Sequence, residues 1–372
     1  MLILLAVGLL ISSIAFSAVL TALAKKVAPR VGLVAYPKAD RYHRSVIPLG
    51  GGIAIFCALA LFLAGGAAMI VFFNSTDHLG YMLGKVVGRN VGFEPADLLH
   101  HSNELLAILL CATILFLVGL WDDKRALGPF IKLVLQFAVA ILAASLGGVR
   151  VEFFIQNTVV TAVLSAFWIV LIINAFNFLD NMDGASAGIA AIASAVLLTA
   201  AAFNGQVFVG GLAIIFIGAL LGFLVFNFPP ASIFMGDAGS LVVGFFVALL
   251  TLRTTYYQQT GSGSWYPVLM PLIAMAVPLY DFTSVTLLRI SQGKSPFVGD
   301  TQHFSHRLKR HGLTDTQTVL ALYLATLCTG LGATFLYQVN FVGAVLIVVQ
   351  TCLILAIIGV FETTVRNDQK SS

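Results

Sequence analysis

Six aspartates, Asp122, Asp123, Asp180, Asp183, Asp237 and Asp300, stand at the ends of long apolar runs or in the short loops between them. A carboxylate costs roughly 2.5 to 3.5 kcal/mol at the centre of a membrane helix and much less near the interface, so these positions are tolerable. Their clustering is the informative feature. Oxygen donors of this kind suit a hard divalent cation and, through it, a phosphorylated ligand. Asn174, Asn177, Asp180 and Asp183 recur every third residue, which on a helix makes one drifting polar stripe. Such a stripe can ligate a cation or orient its ligands. Buried asparagines also join membrane helices, and both readings stand.

Adjacent aspartates on a helix diverge by about 100°, so Asp122 and Asp123 are expected to take two roles, one toward a metal and one toward an acceptor phosphate. A solvated helix end is the alternative. The loop from Phe228 to Ser240 carries Pro229, Pro230, Gly236, Asp237 and Gly239. Its glycines would let backbone N–H groups approach an anion, with Asp237 holding the cation that bridges it. Gly239 serving close helix packing is the other reading. Asp300 to His311, with His303, His306, Arg307, Lys309 and Arg310, is basic and rich in donors, which suits a pyrophosphate or a sugar. Attraction to anionic headgroups would use the same charges. His100 and His101 are read as solvated, for want of carboxylates beside them.

The elements that position these residues follow from composition. Of 372 residues, 59% are hydrophobic and 10% charged, against roughly 45–50% and about 25% in soluble domains, which excludes a water-soluble fold. Apolar runs recur at Leu2–Ala24, Gly50–Phe73, Leu105–Trp121, Phe130–Leu146, Val159–Leu179, Ala185–Phe203, Val207–Phe226, Ser240–Leu252, Pro267–Ile290, Val319–Leu336 and Val342–Phe361. They predict an all-α polytopic transmembrane bundle of about eleven helices. It forms a single domain over 1–372, with an external loop at 74–103 and a cytoplasmic substrate loop at 291–317. All lysines and arginines except Lys85, Arg89, Arg150 and Arg253 then fall on one side. That asymmetry predicts an amino terminus outside and a carboxyl terminus in the cytoplasm. Cys57, Cys111, Cys328 and Cys352 lie inside apolar runs with no paired spacing, so neither disulfides nor zinc are expected.

Taken in order, the segment with Arg41, His43 and Gly50-Gly51, the Asp122-Asp123 pair, Asn174 to Gly184, Phe234 to Gly239 and the histidine loop resemble one family, the polyprenyl-phosphate N-acetylhexosamine-1-phosphate transferases. The resemblance implies a glycosyltransferase of the family 4 type in the bacterial inner membrane, with its active site facing the cytoplasm. It implies Mg2+ as cofactor, with Mn2+ able to substitute, held by Asp237 and Asn177. Catalysis falls to Asp122, Asp123, Asp180 and Asp183, the latter two in the nucleotide region. Substrate binding falls to Lys132 on the donor pyrophosphate, Asn174, His43, and the sugar-recognition loop with His303, His306 and Arg307. The implied partners are a UDP-sugar donor, a polyprenyl phosphate acceptor and membrane lipids; a homodimer is compatible, and no nucleic acid is implied. The implied reaction moves GlcNAc 1-phosphate from UDP-GlcNAc to undecaprenyl phosphate, releasing UMP. Direct attack by the lipid phosphate is preferred over a phosphorylated aspartate, since a phosphate monoester is largely ionised at pH 7. Two departures stand out: Ala126 occupies the third place of a DDxxD pattern, and His303-Phe-Ser305-His306 replaces His-x-His-His. The alternatives are a phospho-N-acetylmuramoyl-pentapeptide transferase and, from another class, an ion-coupled secondary transporter. A transporter would place its polar residues near the bilayer midplane, where only Asp281 lies.

Overall fold

The computed structural model describes residues 2–36, 46–74, 95–147, 149–150, 157–254, 256, 265–295, 308 and 312–368. Hydrocarbon offers backbone N–H and C=O groups no partners, so a chain this apolar must satisfy them within helices. The described elements are α1 (Leu2–Val27), α2 (Gly51–Asn74), α3 (Pro95–Lys124), α4 (Pro129–Leu146), α5 (Thr158–Leu179), α6 (Ala185–Phe203), α7 (Val207–Asn227), α8 (Asp237–Arg253), α9 (Met270–Ala274), α10 (Ala276–Ser291), α11 (Asp315–Thr334) and α12 (Phe341–Asp368). Two antiparallel strands of two residues each, β1 (Val34–Ala35) and β2 (Ile47–Pro48), are the small exception to an all-α fold.

Nine of the expected runs form helices long and apolar enough to cross a membrane, among the described residues. The other two expected runs take different forms. Pro267–Ile290 is broken: Tyr266–Ala274 and Ala276–Ser291 meet at 61°. Pro278 is the physical cause, since it has no N–H to offer the Ala274 carbonyl and its ring would strike that carbonyl in a continuous helix. The pair therefore counts as one bent span at most. The run Ser240–Leu252 extends to the 17 residues of α8, about 25 Å long, and falls short of the other nine.

That short helix is the centre of the molecule. Residues 238–251 of α8 are buried without a break, as expected of a helix that is apolar all round. It packs against α5, α3, α2 and α6. One neighbour, α3, holds it at both ends. At the start of α8 the Asp123 carboxylate accepts the Asp237 and Ala238 N–H groups at 2.8 and 3.1 Å. At its far end Arg253 donates to both Glu104 oxygens, at 3.0 and 2.6 Å.

Glu104, only 4% exposed, also meets His101 Nδ1 at 3.0 Å. The His101 ring stacks on Phe208 with centroids 4.3 Å apart. His101 is thus partly buried beside a carboxylate, which corrects its reading as a solvated side chain. The carboxylate lies one helical turn on, at i+3, where helical neighbours meet.

On the opposite end of the bundle, the start of α2 closes over the loop that precedes α8. Gly51 and Gly52 donate to the Phe234 and Met235 carbonyls, both at 2.9 Å. A Cβ on Gly52 would stand 2.2 Å from the Gly239 nitrogen. Gly51 and Gly52 therefore let two backbones touch.

Candidate active site

The chemistry gathers where α8 begins. Gly236, the residue before it, has φ +72°, a conformation that side-chain-bearing residues rarely adopt, and an added Cβ would lie 2.7 Å from Asp123 Oδ2. This turn aims Asp237, the first residue of α8, at the ends of three other helices. Gly119, one turn before the aspartate pair on α3, permits the approach, since a Cβ there would sit 2.4 Å from the Asp237 carbonyl oxygen.

Lys132 lies in the first turn of α4, which starts with Gly128 as cap and Pro129 at its first position. Pro at that position loses nothing, because its N–H would have no helical partner. The preceding turn is folded by Asp122, whose Oδ1 accepts the Leu127 N–H at 2.6 Å. Lys132 is thereby brought back onto Asp122. Its ammonium donates to Asp122 Oδ2 at 3.0 Å and to Asp237 Oδ2, bridging the two carboxylates. From α5, the Asn177 amide nitrogen donates to Asp237 Oδ1 at 3.2 Å and to Ser240 Oγ at 2.8 Å.

The expected divergence of the aspartate pair is seen. Asp122 faces Lys132, whereas Asp123 caps α8. Two carboxylates at the carboxyl end of a helix oppose its dipole, but Asp123 also meets the positive end of α8, which compensates. Asp237 and Ala238 spend their N–H groups on Asp123, and Gly239 and Ser240 spend theirs on the Gly236 carbonyl. The loop thus receives an anion belonging to the protein itself. This corrects the expectation that its N–H groups cradle a substrate anion. Gly239 serves packing, since its Cβ would lie 2.3 Å from the Met235 side chain.

The stripe from Asn174 to Asp183 divides, because α5 ends at Leu179 and Asp180 is its cap. Asn177 reaches the cluster. Asn174 donates to Gln136 Oε1 at 2.6 Å and to the Val170 carbonyl at 2.8 Å, joining α5 to α4. Asp183 accepts the Ala231 N–H at 2.8 Å. Beside it, Asn227 accepts from Gly184 N and donates to the Ile233 carbonyl, both at 2.9 Å. These bonds fasten the turn after α5 to the loop before α8. Asp281 is buried on α10, which packs against α5. His43, His303, His306 and Arg307 lie outside the described residues.

Sequence reasoning missed Ser240, Gln136 and Asn227. The first two carried a readable signal: Ser240 lies at i+3 from Asp237 and Gln136 at i+4 from Lys132, each a polar residue in an apolar helix. Asn227 gave none, because its partners come from two separate loops.

Among the described residues, no three His, Cys, Asp or Glu side chains converge on one metal position. Asp122, Asp237 and the Asn177 amide offer a smaller set of hard oxygens, with Lys132 seated between the carboxylates. Such a set fits Mg2+, which keeps several waters and commonly binds through one or two carboxylates plus substrate phosphates.

A model of glycosyl transferase family 4 matches residues 105–255. A probable undecaprenyl-phosphate N-acetylglucosaminyl 1-phosphate transferase of Bacillus subtilis (strain 168) is 30% identical over 314 residues, spanning 82% of this chain and 78% of the relative. The chain belongs to glycosyl transferase family 4. The family 4 match runs from α3 through α8 and so takes in Asp122, Asp123, Lys132, Asn177, Asp237 and Ser240 together. Two further relatives carry related names. An undecaprenyl-phosphate alpha-N-acetylglucosaminyl 1-phosphate transferase of Escherichia coli (strain K12) is 29% identical, over 85% of this chain and 80% of its own. A decaprenyl-phosphate N-acetylglucosaminephosphotransferase of Mycobacterium leprae (strain TN) is 28% identical, over 92% and 86%.

Proposed function

We propose that this chain transfers GlcNAc 1-phosphate from UDP-GlcNAc to undecaprenyl phosphate, at the cytoplasmic face of the bacterial inner membrane. The observation that carries the reading is Lys132 bridging Asp122 and Asp237, with Asn177 alongside, at one end of a bundle of apolar helices. Positioning and charge neutralisation do most of the work in phosphoryl transfer, and this cluster offers both. The names of the relatives favour GlcNAc over the muramoyl-pentapeptide donor.

In the reaction a phosphate oxygen of the lipid bonds to the phosphorus that carries the sugar. The bond from that phosphorus to the UMP oxygen breaks, and UMP leaves with the electron pair. Mg2+ on Asp237 and Asn177 would neutralise charge on the donor pyrophosphate. Lys132 adds a fixed positive charge beside it. Asp122, held by Lys132 and by the Leu127 N–H, orients the lipid phosphate, which needs little help to ionise because its second pKa is near 6. Asp123 keeps α8 in place and Asp183 keeps the turn after α5 against the loop 228–236.

Purified protein incubated with radiolabelled UDP-GlcNAc and undecaprenyl phosphate should give labelled lipid and one UMP per lipid. A panel of UDP-sugars in the same assay tests the donor. Absence of labelled lipid with every sugar would refute the reading.

A further inference from the structure

Ser240 is 0% exposed in the first turns of α8, among apolar residues that fill the bundle. Serine forms helices less well than alanine, because its hydroxyl competes for backbone bonds. A buried serine at this place therefore acts against local preference, and a tertiary partner accounts for it. That partner is Asn177, whose amide nitrogen lies 2.8 Å from Ser240 Oγ.

An asparagine amide has two N–H donors, and both are taken here, one by Asp237 Oδ1 and one by Ser240 Oγ. In the structure the nitrogen faces Asp237 Oδ1, where an amide oxygen directly opposite the carboxylate would be repelled. The Asn177 carbonyl oxygen is thereby turned away from both acceptors. We propose that Ser240 is a positioning residue, holding the Asn177 amide so that this oxygen faces the donor and its cation. The inference rests on the role given to Asn177 under the proposed function. Asp237 alone is a poor holder, because its bond to Asn177 is the longer one, at 3.2 Å, and a cation would draw on the same carboxylate. The Ser240 bond is neutral and its acceptor is buried, so it persists when Asp237 is engaged.

The test compares Ser240→Ala, Asn177→Ala and the double variant of the full chain, in detergent. Three quantities are read: the Mg2+ concentration giving half-maximal rate, Mn2+ binding by electron paramagnetic resonance, and the melting temperature. Ser240→Ala should weaken both cation measures by about three- to tenfold, the factor for one buried hydrogen bond. The acceptor KM should stay at the wild-type value. In the Asn177→Ala background, removing Ser240 should change neither cation measure, because the residue acts only through that amide. Ser240→Cys, whose sulfur is a weaker acceptor, should fall between, and it carries the comparison if Ser240→Ala does not fold. Unchanged cation dependence in Ser240→Ala, or effects that add fully in the double variant, would overturn the inference and leave the role of Asn177 standing. Unchanged cation measures in Asn177→Ala itself would remove that role and the inference with it.

Discussion

Asp122 and Asp123 are adjacent, yet the last turn of α3 sends one to Lys132 and the other to the N–H groups that open α8. Their substitutions should separate accordingly. Asp123→Ala strands two partly buried donors, each costing about 1–3 kcal/mol, so its melting temperature should fall by several degrees. Asp122→Asn should melt near wild type and lose rate instead. Equal melting of the two variants would remove the capping role of Asp123. Asp237→Asn should lower kcat by more than about tenfold, or 1.4 kcal/mol, while the protein stays folded. A variant keeping over about a tenth of the rate at saturating Mg2+ would sink that assignment. EDTA should stop transfer, and added Mg2+ or Mn2+ restore it; turnover persisting in chelator would dismiss the cation. The split of the pair was legible, because about 100° per residue is a property of any helix. Its partners were not. Asp237 lies 114 residues from Asp123, and no local pattern states which loop a carboxylate will meet. Likewise nothing in the spacing distinguished Asn174 from Asn177, although one joins two helices and the other reaches the cluster.

At the scale of elements, the backbones of α3 and the start of α8 approach closely because Gly119 has no side chain. Gly119→Ala places a methyl 2.4 Å from the Asp237 carbonyl oxygen, so backbone must move. Overpacking of this kind costs about 1–3 kcal/mol, and here the displaced atoms belong to a proposed ligand of the cation. The variant should show at least about a tenfold fall in kcat with donor KM little changed. Wild-type kcat would mean that the approach of α3 to α8 does not set the site. Helices were the most readable part of the fold, since runs of about 20 apolar residues have few other structures open to them. The break between α9 and α10 was present in the sequence as Pro267, Pro271 and Pro278. Hydropathy along Pro267–Ile290 treats proline as one residue among many, and it passed over the missing N–H that decides the geometry.

For the whole molecule, the quantity to measure is a parity. Among the described residues, nine long helices and the bent pair taken as one span would make ten crossings, an even number that would put both ends on one side; α8 as an eleventh would put them on opposite sides. Reporters fused at each terminus should answer on opposite sides, with the carboxyl terminus inside. Ser305→Cys in an otherwise cysteine-free chain should react with an impermeant thiol reagent only after the cytoplasmic side is opened. Labelling in intact cells would reverse the orientation drawn from lysine and arginine. Charge asymmetry was readable in the sequence, whereas the central place of α8 was not, because burial on every side depends on neighbours gathered from the whole chain. Held at Asp123 and again at Glu104, α8 sits in α3 as a bar sits in the jaws of a caliper. Its axial height is fixed by two fittings rather than by sliding apolar contact. Loosening the far jaw with Arg253→Met should then let Asp237 ride up or down by fractions of an ångström, about 24 Å away along the helix. The symptom would be a lowered kcat from a lesion at the opposite end of α8, deepening on warming and milder in Arg253→Lys, which keeps a charge for Glu104 to grip.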